Sequence, residues 1–155
     1  HIVNTASMAG LAPLPGATGY SMTKHAVVGL STSLRIEAAT MGIRVSVFCP
    51  GLIRTPIMQG GKYGKIADDL PRDEMQVMLE RLRPMPPELF AMKALNAVAK
   101  NKAIIIVPSW WKIGWWLHRL SPSLGLFLAQ KDYQDKGKKF SKATAEEKVD
   151  KRAHK

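Results

Sequence analysis

A chain of 155 residues with 46% hydrophobic content is long enough for one domain with a real core. The formal net charge of +11 favours phosphate-bearing ligands, acidic lipids or nucleic acid. No zinc-finger, aromatic RNA-binding or other nucleic-acid motif accompanies it, so no nucleic-acid partner is expected. The single cysteine, Cys49, excludes an internal disulfide framework and suits a reducing, cytoplasmic compartment. His1, His25, His118 and His154 are too scattered for a metal site, and no metal is expected.

In chain order, Ile2, Val3 and Asn4 suggest the end of a short buried strand, leading into a turn at Thr5, Ala6 and Ser7. Gly10, Pro13, Pro15 and Gly16 mark a loop. Residues 17–41 then follow a helical period, with Val27, Leu30, Leu34 and Ile36 as apolar contacts and Ala26, Gly29 and Ala38 permitting close packing. Gly42 is the stop signal. Residues 43–49 (IRVSVFC) form a β-branched strand ending at Cys49, whose expected fate is burial. Strand, helix, strand in this order implies a right-handed crossover in a parallel sheet.

Pro50-Gly51 ends the second strand at its carboxyl end, where open α/β sheets bind ligands. Residues 56–87 are rich in Gly and Pro and contain one expected helix over residues 73–83, carrying Met75, Met78, Leu79 and Leu82. Methionines adapt to varied apolar shapes, so these residues line an apolar substrate site or form an ordinary small core. Pro87 can open a helix running to about Lys100, with Phe90, Ala91, Ala94, Leu95 and Val98 as its apolar stripe. Residues 103–107 (AIIIV) read as a buried parallel strand.

Residues 110–128 hold all four Trp, interrupted by Lys112, His118 and Arg119 and divided by Pro122. The segment is too broken and polar to span a bilayer. Its Trp and basic residues suit a membrane interface; a pocket cover or a subunit contact is the other reading. Residues 131–155 are basic and poor in large apolar residues, and a mobile or weakly helical tail is expected there.

Tyr20 and Lys24, four residues apart on one helix face, bring an ammonium beside a phenol, and an opposite charge favours the phenolate. Ser7, thirteen residues upstream of Tyr20, adds a hydroxyl that could meet the phenol across the loop. This is machinery for moving a proton to or from a carbonyl oxygen. The order Ser7, Tyr20-x-x-x-Lys24, strand, Pro50-Gly51, Thr55 resembles the short-chain dehydrogenase/reductase family. The match is good from Ile2 to about Thr55 and returns at 103–108.

The resemblance implies the C-terminal part of a doubly wound, Rossmann-like α/β fold. It also implies hydride transfer between NAD or NADP and a small-molecule carbonyl or alcohol. Ser7, Tyr20 and Lys24 would be catalytic. Tyr20, Lys24, Pro50, Gly51, Ile53 and Thr55 would lie along the nicotinamide end of the cofactor. The helix over 17–41 would make a homo-oligomer contact, and 56–87 a substrate lid. The family's glycine-rich phosphate turn, its Asn-Ala-Gly strand end and its catalytic helix Asn are not in this sequence. Three segments are therefore expected: 1–109 as the catalytic half, 110–130 as a Trp-rich apolar segment and 131–155 as a basic tail. Without a phosphate turn the 155 residues alone are not expected to bind NAD(P)H appreciably. The competing expectation is a non-catalytic interaction or membrane-surface protein that keeps part of this fold.

Overall fold

Three parallel strands in the order β1–β2–β3 organise the molecule, in a computed structural model that describes residues 1–56, 80 and 83–135. They are β1 (Ile2–Thr5), β2 (Val45–Pro50) and β3 (Ile104–Val107), connected through helices α1 (Thr18–Ala39) and α2 (Pro87–Ala99). Register runs from Ile2 opposite Val45 to Thr5 opposite Phe48, and from Val47 opposite Ile104 to Pro50 opposite Val107. This is the expected α/β arrangement, in which a β-branched middle strand is buried on both faces. Val45, Val47 and Cys49 are fully enclosed. The carboxyl ends of all three strands lie along one edge.

The expectation of a buried first strand is corrected. Ile2 and Val3 are exposed, because β1 has a strand partner on one flank only among the described residues. The second strand begins at Val45, two residues later than the composition suggested.

α1 meets the sheet through a stripe that includes Lys24, Val27, Val28, Ser31, Arg35 and Ala38, positions set three or four apart as a 3.6-residue period requires. Leu30 and Ile36, expected as packing residues, lie off this stripe and are 61% and 77% exposed. Ala26 and Gly29 are also exposed, so among the small residues only Ala38 serves close packing. Past the helix end, Gly42 adopts φ 71°, the left-handed conformation expected of a helix stop. Arg35 donates to the Val45 carbonyl and, at 2.8 Å and 3.1 Å, to the carbonyl and side-chain oxygens of Asn101, tying α1 to β2 and to the turn before β3.

α2 starts with Pro87 in its first turn, as expected. Ala94 is buried, and Phe90 meets Phe48 edge-on at 5.9 Å. Ala91 and Leu95 of the expected stripe face solvent instead. The Trp-rich segment folds as helix α3 (Trp111–Leu120) and a second helix, α4, over residues 122–135. α4 runs through residue 130, so the expected boundary between 130 and 131 is not a structural break. Of the helix expected over 73–83 only Glu80, which is helical, and Arg83 are described; Met75, Met78, Leu79 and Leu82 lie outside the described residues, as do 136–155 of the expected tail. Arg83, at the end of that expected helix, is non-helical with φ 50°.

Candidate active site

The stripe of α1 that packs on the sheet continues towards the helix N-terminus, beyond the carboxyl edge of the strands. There it carries Lys24 and Tyr20 in place of apolar residues. A helix following a parallel strand begins at that edge, so its first two turns overhang the place where β1 and β2 end. The Lys24 ammonium donates to the Thr5 carbonyl at 3.3 Å and stands 5.5 Å from the centre of the Tyr20 ring. Lysine has three N–H donors. The described residues take up one of them, leaving two for an acceptor at the edge. Tyr20 is 42% exposed, and its hydroxyl has no hydrogen-bond partner among the described residues.

Ser7 follows β1 after a single residue, Ala6. Its backbone is extended, and its hydroxyl accepts from the Ala9 amide at 3.2 Å, capping a single 3-10 turn over Met8–Gly10. The expectation that Ser7 meets the phenol is not realised as a hydrogen bond between them; the Ser7 oxygen is engaged with its own turn. A hydroxyl that accepts one bond still has its O–H to donate.

Gly10 explains why this turn can sit against α1. A Cβ there would lie 2.5 Å from the Lys24 carbonyl oxygen and 3.0 Å from Val28 Cγ2. Only a glycine lets the Ser7 turn and the Lys24 turn touch. A second tie lies one layer deeper. Asn4 donates through Nδ2 to the Ser31 hydroxyl at 3.0 Å, and Ser31 donates to the Val27 carbonyl at 2.6 Å. Neither Gly10 nor Asn4 was picked out as a positioning residue from sequence. Asn4 alternates with Val3 along a strand, and that is too common a pattern to signal a role.

The carboxyl end of β2 supplies the other wall. Gly51 donates from its amide to the Val107 carbonyl at 3.0 Å. Its open α-carbon faces the Trp111 indole: a Cβ would lie 2.7 Å from Cε2 and closer still to Nε1 and Cδ1. The Trp111 Nε1 is buried without a hydrogen-bond partner, and the ring stacks on Trp110 at 4.4 Å. Pro50, Gly51, Ile53 and Thr55 are all half-buried here, and Ile53 bridges to Met85. Cys49, immediately before, is held neutral by burial, its thiol pushed up to about 12. His25 is exposed and bonded to the Ser21 carbonyl at 2.9 Å.

The arrangement is therefore a phenol and an ammonium overhanging β1, a capped serine at the strand end, and a glycine walled by an indole at the end of β2. A family model for short chain dehydrogenase matches residues 1–63 of this chain. The chain belongs to the short-chain dehydrogenase/reductase family. It is 32% identical over 138 residues to the dehydrogenase/reductase SDR family protein 7-like of Drosophila melanogaster, covering 84% of this chain and 39% of that protein. Among solved structures it resembles a short chain dehydrogenase/reductase from Burkholderia phymatum in complex with NAD, with TM-score 0.61 and 25% identity over 80% of this chain and 48% of that one. It also resembles a short-chain dehydrogenase from Sphingobium yanoikuyae in complex with NADPH, with TM-score 0.53 and 27% identity over 86% of this chain and 44% of that one. The chain thus spans less than half the length of these relatives.

Proposed function

We propose that this chain supplies the proton-transfer half of an NAD(P)-dependent oxidoreductase that interconverts an apolar alcohol with its ketone or aldehyde. The observation that carries this reading is the Lys24 ammonium, anchored on Thr5 and standing beside the exposed Tyr20 ring at the carboxyl edge of the sheet. The Burkholderia and Sphingobium relatives were solved with NAD and NADPH, which supports a nicotinamide dinucleotide here.

The donor set fits one end of that cofactor. The two free donors of Lys24 suit the vicinal hydroxyls of a ribose, and Pro50, Gly51, Ile53 and Thr55 offer half-buried backbone beside it. When bound, the cofactor supplies or accepts the hydride. Tyr20 holds the proton at its hydroxyl and passes it to the carbonyl oxygen, or takes it from the alcohol. Lys24 keeps a positive charge next to the phenol as the proton leaves. Ser7 donates its O–H towards the same substrate oxygen, where negative charge develops. Trp111 shields Gly51 from water and gives that wall an aromatic surface, which supports an apolar substrate. The outward face of α1, with Leu30 and Ile36 exposed, supports a homo-oligomer contact through residues 17–41.

The test is Tyr20→Phe in the protein expressed from its full reading frame, followed by nicotinamide absorbance with apolar ketones and alcohols. Turnover is expected to fall by roughly 10²–10⁴-fold, the usual contribution of a general acid, with cofactor binding retained. Turnover near that of the parent protein refutes the assignment. A second reading rests on the Trp111 ring occupying the open side of Gly51: a non-catalytic surface protein that retains this fold. Its signature is a parent protein without nicotinamide-linked turnover on any substrate of this class.

A further inference from the structure

Helix α3 carries two apolar stripes where a surface helix needs one. Trp111 and Trp115, four residues apart, turn inward onto the core cluster around Val47, Cys49 and Ile106. Ile113, Trp116, Leu117 and Leu120 fall at i, i+3, i+4 and i+7 and turn to solvent, with Ile113 74% and Leu120 78% exposed. That outward face is where an ordinary surface helix places charged and polar residues. The next helix repeats the pattern: Leu124, Phe127 and Leu128 share a face of α4 and are all exposed. The two helices form one unit, because a Cβ at Gly125 would lie 2.6 Å from the His118 Nδ1.

Cations are the only charges on this platform up to residue 131. No Asp or Glu occurs from residue 89 to residue 130, where Lys112 and Arg119 are cations; Lys131, Asp132 and Asp135 follow at the end of α4. Arg119 sits 5.5 Å from the centre of the Trp115 ring. Pairing with a second copy would bring together two chains of net charge +11, and Asp132 and Asp135, both near the end of α4, are the only carboxylates on the two helices. A negatively charged bilayer supplies the missing counter-charge, and Trp beside Lys and Arg is the composition that sits at headgroup depth. No helix among the described residues is long and apolar enough to cross a membrane.

We infer that α3 and α4 together form a platform that lies in the headgroup region of an anionic membrane. The side chains of Ile113, Trp116, Leu117 and Leu120 enter the acyl boundary, and Lys112, Arg119 and Lys131 meet lipid phosphates. Its outward residues are none of those placed at the Ser7, Tyr20 and Lys24 edge, and the inference holds whether or not that edge is catalytic.

The test is co-sedimentation of the 155-residue chain with phosphatidylcholine vesicles, with and without phosphatidylglycerol, in low and high salt. Binding is expected on the anionic vesicles and weaker in high salt. Arg119→Gln should weaken it about fivefold, the usual effect of one basic residue near a charged surface. Ile113→Asn with Leu120→Asn should weaken it by about a hundredfold, from two large side chains that no longer enter the bilayer. Both positions are largely exposed, and near-ultraviolet circular dichroism verifies that the variants are folded. Three results overturn the inference. One is a folded chain that ignores anionic vesicles. Another is binding unchanged in the asparagine variant, which would be charge adsorption alone. The third is a dimer in sedimentation velocity that the same variant dissociates while vesicles remain unbound, which would assign the face to a second copy.

Discussion

Replacing Gly51 with alanine probes the junction on which the second wall of the site depends. The added methyl would stand 2.7 Å from Trp111 Cε2 and nearer still to Nε1 and Cδ1, against the roughly 3.5–4.0 Å at which carbon atoms rest. The ring must withdraw by about 1 Å. It cannot do so by a rotamer change alone, since it is stacked on Trp110 and packed on the core cluster. The shift therefore passes to α3 as a body. Overpacking of this kind costs about 1–3 kcal/mol. In a chain of this length that lowers Tm by roughly 2–12 °C. Urea unfolding followed by tryptophan fluorescence measures it. In a Trp111→Leu background, where the flexible leucine can move aside, the cost of Gly51→Ala should fall below about 0.5 kcal/mol. Equal costs in the two backgrounds, or a Gly51→Ala variant within about 0.5 kcal/mol of the parent, would refute the contact.

Two further outcomes follow from the core. Burial raises the Cys49 thiol from 9.0 in the unfolded reference to about 12. The folded state thus keeps a proton that the unfolded state loses above pH 9. This contribution is complete below that pH and is lost progressively up to about pH 12, at up to about 1.4 kcal/mol per pH unit. Urea midpoints measured across this range for the parent and Cys49→Ala check it: the parent should lose its stability more steeply, and parallel curves refute it. Arg35→Met removes the donors to Val45 and Asn101 while keeping the length of the side chain. It should cost about 1.5–3 kcal/mol, the range for hydrogen bonds to a charged group. A midpoint unchanged in urea would mean that water replaces the clamp without loss.

Legibility differed by element. β3 was readable because a strand buried on both faces is written as an unbroken apolar run, and β2 because its residues are rich in β-branched types despite Ser46; the stop at Gly42 and the start at Pro87 are backbone chemistry that no packing can override. Their positions in the structure, φ 71° at Gly42 and the first turn of α2 for Pro87, match that reasoning. The inward faces of the helices were harder. Leu30, Ile36 and Leu95 are apolar and correctly spaced for several stripes, and their exposure follows from which stripe meets the sheet. That choice belongs to the sheet's position, not to the helix. The site showed the same division. Tyr20 and Lys24 share a face by helical period alone, so their proximity could be expected before any fold was known.

What the sequence by itself determined is therefore local: a Tyr–Lys pair one turn apart, a serine thirteen residues before the tyrosine, and a Pro-Gly break after a buried strand. Each rests on backbone geometry or on a short spacing. The tertiary structure decided everything that needs two distant segments to meet. It set the Gly10 turn against the Lys24 carbonyl, hung Lys24 from Thr5, bound Asn4 to Ser31, and laid Trp111 on the bare α-carbon of Gly51, sixty residues earlier in the chain. It also turned the second stripe of α3 outward, because the sheet offers that helix one face to pack on.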